Sequence, residues 1–414
     1  MTDVKDAGFD FEKVNDDLKG FFYAPTGFTD HSFKSSSGVE LGVRVWPAEN
    51  VVQEPAPIVF WTHGGGFLGG HHFVPLPWLN PGFRKRGYHL VSHNYRLAPQ
   101  AAFDHQVADS IEAVEWCRKN LPSILGEGKV DVDRYVLVGE SAGGTLVTLM
   151  GLHLTSPPPR AIIDVYGLVD IGFYVNMPDR TPEPWKGEFT DGELEHFLGD
   201  RDLNNVLTDA CCWNEQELFP QEELGKRWGT DVKYDKRFRL QEEAHQWRSI
   251  RWLPGDVEKG FFHSERFTDK AELDKFITSV AALKVLQKDQ QRSYPPTAFL
   301  HGSADEAVPI QQSYDLAATL RERGVPVIER YEEGEPHVFD IKYTVRSSRP
   351  FSFLAIADND CRALMSQVGR PPFNQFSTSL TSTLGSRGSK MYLSYTGYLQ
   401  VGDMIQMRAK VLPP

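Results

Sequence analysis

The chain has 414 residues, enough for a large core, with 40% hydrophobic and 24% charged residues, proportions ordinary for a water-soluble globular protein. Its formal net charge of −12 argues against nucleic acid or an anionic membrane as a partner, since phosphate surfaces attract basic proteins. Cys117, Cys211, Cys212 and Cys361 lack metal-ligand spacing, so neither a disulfide framework nor a zinc site is expected.

The first residues, MTDVKDAGFDFEKVNDDLKGFF, lack the basic start and apolar run of a secretory signal. No stretch approaches the ~18 apolar residues that cross a bilayer. A cytoplasmic protein without stable membrane insertion is the expectation. Next, HSFKSSSGVELGVRVWPAE alternates like a β-hairpin with Ser and Gly in its turn. Six apolar strands follow: APIVFWTH, YHLVSHNYR, RYVLVGES, RAIIDVYGL, PTAFLHGSAD and PVIERYEEG. Between the second and third, Val107, Ile111, Val114 and Leu121 recur at helical spacing. SAGGTLVTLMGLHL and PIQQSYDLAATLRERG read as further helices, the latter closing on Gly324. Short apolar strands separated by helices predict an α/β architecture, a mostly parallel central sheet flanked by helices on both faces.

Two regions break this rhythm. Between the fourth and fifth strands lies a long, charged and aromatic insertion holding Trp185, Trp213, Trp228, Trp247 and Trp252. Its segments TDGELEHFL and TDKAELDKFITSVAALKVL look helical, with Thr or Asp at their starts. We read it as a helical cap whose tryptophans mostly hold the helices together and in part line an apolar pocket. CCW at 211–213 reads as packing rather than redox chemistry. After Lys342 the chain is rich in Ser, Gly and Pro with poor periodicity. The expected organisation is an N-terminal segment over 1–32 that joins the cap, a first core half over 33–170, the cap over 171–292, a second core half over 293–342 and a tail over 343–414.

The third of these strands runs into VGESAGG, a G-x-S-x-G with Ser141 at its centre, between a strand and a helix as a nucleophile elbow requires. A serine hydroxyl needs a base to take its proton and an acid to hold that base. In chain order the acid and then the histidine should follow, at strand ends on one side of the sheet. Asp305 in HGSADEAVP and His337 in EGEPHVFD fit, with Asp340, Glu306 and Glu335 as local rivals for the acid. Asp305 could instead cap the following helix. Acyl transfer also requires N–H donors aimed at a tetrahedral oxyanion. The glycines of VFWTHGGGFLGG suit that task, because backbone approaches closely where no Cβ intervenes. Gly65, Gly66 and Ala142 are the candidate donors. HGGGF lacks the G-x-G-x-x-G spacing and the P-loop lysine of a phosphate cradle.

HGGGF at 63–67, YRLAP at 95–99, GESAGG at 139–144, HGSAD at 301–305 and EPHVFD at 335–340 together resemble the hormone-sensitive-lipase branch of the α/β-hydrolases. The likeness covers about Phe33 to Lys342. It implies an α/β-hydrolase fold with a large cap, a Ser141–Asp305–His337 triad, an oxyanion hole of Gly65, Gly66 and Ala142, and a supporting role for His63 under the oxyanion loop. The activity it implies is carboxylic-ester hydrolysis through an acyl-enzyme on a small or medium hydrophobic substrate, an ester or thioester, with no metal or cofactor. Two alternatives stay open. The same triad serves a thioesterase, lactonase or acyltransferase that tailors a natural product, and the fold without its chemistry serves a ligand-binding receptor. A peptidase of the prolyl-oligopeptidase type shares the HGSAD-like features but carries a propeller-sized domain for which this chain has no counterpart. The insertion is unusually long for this branch, and the closing amphipathic helix expected after His337 is replaced by TVRSSRPFSFL.

Overall fold

Alternation of side chains across the strands divides the molecule's interior into two layers. In the strand Ala56–Thr62, Ile58 and Phe60 point into one apolar cluster and Val59 and Trp61 into another. Tyr135 and Leu137 against Val136 and Val138 repeat the division, as does Ile162 against Ile163 and Val165. A strand buried on both faces must be apolar throughout, which is why these segments read as continuous runs. The computed structural model describes residues 23–51, 55–176, 186–211, 220–232 and 236–342.

Among the described residues eight strands form one sheet. They are β1 Thr29–Lys34, β2 Glu40–Trp46, β3 Ala56–Thr62, β4 His89–His93, β5 Val130–Glu140, β6 Ala161–Val165, β7 Thr297–Gly302 and β8 Val327–Glu332. Their spatial order is β1-β2-β4-β3-β5-β6-β7-β8. The hairpin β1–β2 and the β2–β4 pair are antiparallel, and every pairing from β4 to β8 is parallel. The fold expectation therefore holds. β1 begins at Thr29, so the end of the segment assigned to 1–32 belongs to the sheet edge. Residues 1–22 and 343–414, including the tail, lie outside the described residues.

The longer helices are α1 Phe103–Leu125, α2 Ala142–His153, α3 Asp191–Leu198, α4 Gln221–Trp228, α5 Lys236–Arg251, α6 Pro254–Phe262, α7 Lys270–Ser279, α8 Ala282–Lys288 and α9 Gln311–Glu322. Helix α9 is followed by Gly324 at φ +72°, the left-handed position that favours glycine. Helices α3 to α8 fall in the long insertion. Thr190 caps α3 by accepting from the Glu193 N–H, and the Asp269 carboxylate caps α7 by accepting from Glu272. The segment expected as one helix from Lys270 is broken at Val280–Ala281 into α7 and α8.

The insertion shares its apolar interior with the sheet. Phe189, Leu194, Trp247 and Phe261 belong to the same cluster as Phe67 and Phe103, and Phe67 meets Phe103 and Phe261 edge to face. Trp228, Trp247 and Trp252 are all buried, as packing tryptophans should be, whereas Trp185, Cys212 and Trp213 lie outside the described residues. Polar pins add direction. Gln241 of α5 donates to the carbonyls of Leu68 and Ala98, and His263 donates to that of Pro99. Below them Arg96 of YRLAP forks onto buried Asp109 of α1 at 2.8 and 2.7 Å. Breaking one half of such a buried pair leaves an uncompensated charge.

Strand β3, strand β5 and helix α2 meet with no room for a single methyl. A Cβ on Gly143 would drive into the Thr62 carbonyl oxygen, and one on Gly139 into the Gly143 carbonyl. Gly192, on α3, has open space instead. Gly143→Ala is expected to lower unfolding stability by more than about 2 kcal/mol in urea denaturation, because backbone must shift. Gly192→Ala in the same assay should change it by no more than about 1 kcal/mol.

Candidate active site

The turn from β5 into α2 holds Ser141 at φ +52° and ψ −120°, a conformation that non-glycine residues seldom adopt. This posture sets the hydroxyl above the strand end, between sheet and helix. The loops after β7 and β8 bring two further groups to it. His337 Nε2 lies 2.9 Å from Ser141 Oγ, and His337 Nδ1 lies 2.6 Å from Asp305 Oδ2. With Nδ1–H donating to the carboxylate, Nε2 is left as the acceptor for the serine hydroxyl. The three residues are separated by as much as 196 positions in sequence and stand in one hydrogen-bonded row.

Asp305 performs two tasks at once. Its Oδ1 accepts the N–H groups of Ala307 and Val308 in the turn before α9, whose N-cap is Ile310 and not Asp305, while Oδ2 meets His337. Buried His301, on β7, stands 3.2 Å from Oδ2 and also donates to the Val308 carbonyl. Burial alone would raise the Asp305 pKa, but the bonds from His301 and His337 outweigh it and hold the carboxyl below its ordinary range. Of the rival acids, Glu306 is exposed. Asp340 is fully buried and accepts from Trp78 Nε1 at 2.7 Å and from the Tyr166 hydroxyl at 2.5 Å, whereas His337 Nδ1 bonds Asp305. The Tyr166 ring in turn lies 4.7 Å from that of His337. Burial raises the Asp340 pKa, partly offset by those two bonds.

The glycine loop lies beside the serine. A Cβ on Gly64 would sit 3.2 Å from Ser141 Cβ. Gly65 and Gly66 are at φ +104° and +57°, and the Gly65 carbonyl accepts from Gly69 at 2.8 Å, closing a tight turn. Among the described residues, the N–H groups of Gly65, Gly66 and Ala142 have no protein acceptor. His63 is buried under this turn. Its Nδ1 donates to the Gly64 carbonyl at 2.8 Å, its ring stacks on Tyr95 at 4.4 Å, and burial lowers its pKa to about 3, which keeps it neutral.

Sequence reasoning missed Glu140, the residue between glycine and serine in the elbow. Its Oε1 accepts the Gly64 N–H at 2.7 Å and its Oε2 accepts Trp61 Nε1 at 2.6 Å. One carboxylate thereby ties the glycine loop to the residue next to the serine. The only signal was an acidic residue at that motif position. Also unforeseen were His301 behind the acid, and Asp340 and Trp78 behind Tyr166. No helix of the described residues is long and apolar enough to cross a membrane, and no cluster of side chains there could hold a metal ion.

Residues 59–204 match the α/β-hydrolase-fold family and residues 262–351 the prolyl oligopeptidase family. The chain has the α/β-hydrolase fold. An α/β-hydrolase from the metagenome of Lake Arreo superposes with a TM-score of 0.50 at 15% identity, over 85% of this chain and 87% of that one. A fungal esterase from Rhizomucor miehei gives 0.50 at 16%, over 83% and 85%. In sequence, the chain is 26% identical over 75% of its length to a non-reducing polyketide synthase of Acremonium egyptiacum, and 31% identical over 75% to one of Preussia isomera. It spans 14% and 13% of those much longer proteins. It is 24% identical over 72% of its length to the versiconal hemiacetal acetate esterase of Dothistroma septosporum, covering 70% of that protein.

Burial raises the Glu140 pKa to about 8, the two N–H donors pull it down, and the charge of Asp340 adds to the rise. The ionised form, with both oxygens free to accept, therefore accumulates as pH climbs through about 8. Glu140→Gln leaves one of the two N–H groups facing an amide N–H. We expect kcat against a soluble ester to fall about 10- to 100-fold, less than deleting an oxyanion donor outright. A rising limb near pH 8 in the wild-type kcat profile should be lost in this variant, which has nothing to titrate there.

Proposed function

We propose that this chain is a serine-dependent acyl hydrolase that cleaves carboxylic esters through an acyl-enzyme. The observation that carries this reading is the row Ser141 Oγ, His337 Nε2 and Nδ1, Asp305 Oδ2, at 2.9 and 2.6 Å. His337 takes the hydroxyl proton as Ser141 attacks the carbonyl, and Asp305 holds the ring and stabilises the imidazolium. The N–H groups of Gly65, Gly66 and Ala142 receive the developing oxyanion, and His63 and Glu140 keep that loop in place. His337 returns the proton to the departing alcohol, then removes one from the water that frees the acid. The named activity of the Dothistroma septosporum relative supports an ester, and we take its acyl group to be small or medium and hydrophobic. No metal or cofactor has a place in this chemistry.

A second reading keeps the acyl-enzyme and changes the bond opened or the acceptor. The matches to non-reducing polyketide synthases favour it, since they extend over 75% of the chain. On this reading the substrate is a polyketide thioester, and release or transfer of the acyl group tailors a natural product.

The test is a series of p-nitrophenyl esters from acetate to decanoate, assayed on wild type, Ser141→Ala and Asp305→Asn, beside labelling with a fluorophosphonate. Wild type should label at Ser141 and show an acyl-length optimum. Asp305→Asn should lower kcat about 10⁴-fold and Ser141→Ala by at least as much. Labelling with an acylation burst and little turnover would favour transfer to a specific acceptor. An unlabelled Ser141 in the folded protein would overturn both readings and leave a binding protein of the same fold.

A further inference from the structure

Helix α5 presents a polar stripe to the glycine loop. Gln241, His245 and Arg248 fall at i, i+4 and i+7 and so share one face. Gln241 donates to Leu68 O at 2.6 Å and Ala98 O at 2.7 Å. His245 faces the Gly65 backbone, and burial together with Arg248 lowers its pKa to about 3, so it carries no charge. The Arg248 guanidinium lies against Gly66. A Cβ on that glycine would stand 2.5 Å from Nη2, 2.8 Å from Cζ and 2.9 Å from Nη1, so the breadth of the group, rather than one nitrogen, faces the loop. The cation is only partly buried, and Gly66 is among the loop's partly exposed residues.

Several other side chains fix the helix. Gln241 clamps it to the loop, Glu243 accepts the N–H groups of Glu188 and Phe189 at 2.8 and 3.0 Å, and Trp247 Nε1 reaches Asp191 at 3.1 Å. What Arg248 adds is a permanent charge two residues from Gly64, the glycine that touches the serine elbow. Guanidinium carries a planar fork of donors that matches a pair of oxygens.

We propose that Arg248 is a specificity-determining residue that grips an anionic pair of oxygens on the acyl chain, a carboxylate or an enolised 1,3-dicarbonyl, as the ester or thioester carbonyl enters the oxyanion loop. The inference rests on the serine acyl-hydrolase reading and deepens it by naming the acyl class. Gly66 is bare for the same reason, since any side chain would displace the cation.

The test uses three six-carbon N-acetylcysteamine thioesters: hexanoyl, hemi-adipoyl and 3,5-dioxohexanoyl. Release of free thiol reports acylation whether water or another acceptor follows. Wild type should favour one or both oxygen-bearing acyl groups over hexanoyl by ~10- to 100-fold in kcat/KM, and which of the two is preferred identifies the source of the oxygens. Arg248→Met should collapse that ratio toward one, chiefly through KM. Arg248→Lys, a milder change, should restore part of the carboxylate preference and less of the dicarbonyl preference, because a point charge lacks the fork. A wild type with no preference, or an Arg248→Met that lowers all three substrates alike, would overturn the inference. Fluorophosphonate labelling of Ser141 in each protein separates the two failures: labelled enzyme without selectivity sinks the role of Arg248 alone, and unlabelled wild type sinks the serine reading beneath it.

Discussion

Strand β3, strand β5 and the first turn of α2 approach so closely that the glycine loop, the serine turn and the helix share a single surface of bare backbone. Register makes this possible. Trp61 pairs with Val138 and Thr62 with Gly139, so the strands end level and their loops emerge side by side. Gly139 and Gly143 remove the side chains that would wedge the helix from the sheet, and Gly64 lets the loop touch Ser141. Glu140 then occupies the one spot from which a carboxylate can bond both Trp61 and Gly64. An oxyanion hole works only if its donors are aimed before the charge develops. On the proposed reading, the aim of the Gly65, Gly66 and Ala142 donors is inherited from the pairing of β3 with β5.

The HGGGFLGG run meets two different demands on glycine. Gly65 and Gly70 stand where backbone crosses backbone. A Cβ on the first would meet the Gly69 carbonyl, and one on the second would meet the Gly64 carbonyl and the His63 ring. Gly66 instead faces a side chain, Arg248, delivered by the insertion. The loop is thus shaped from below by the sheet and from above by α5. Phe67 closes the arrangement: it adopts φ +68° and fills the junction between Phe103 of the core and Phe261 of α6.

How much of this was readable from sequence follows from where each signal originates. Strands β3, β5 and β6 were legible because burial on both faces forces apolar runs, and α3 and α7 because Thr190 and Asp269 announce their starts. Ser141, Asp305 and His337 could be nominated because strand ends and chain order place them. The break at Val280–Ala281 was not legible, since both halves keep helix-forming residues and tertiary packing decides the bend. Glu140, His301 and Arg248 were illegible for another reason. Their partners, Trp61 and Gly64, Asp305, and Gly66, lie on other elements, and only register and helix placement reveal the pairing.

Three carboxyl groups surround the His337 neighbourhood, and the structure sorts them by bonding. Asp305 collects the N–H groups of Ala307 and Val308 together with His301 and His337, enough to keep it ionised against its burial. Asp340 accepts from Tyr166 and Trp78 and Glu140 from Gly64 and Trp61, yet burial outweighs the bonds to each and raises both pKa values. The charge of Asp340 further raises the pKa of Glu140, so ionising one disfavours ionising the other. Asp340 anchors the hydroxyl of Tyr166, whose ring lies 4.7 Å from that of His337. Of the three carboxyl groups, Asp305 is the one bonded to His337 Nδ1, and the bonds it collects keep it ionised where burial would not.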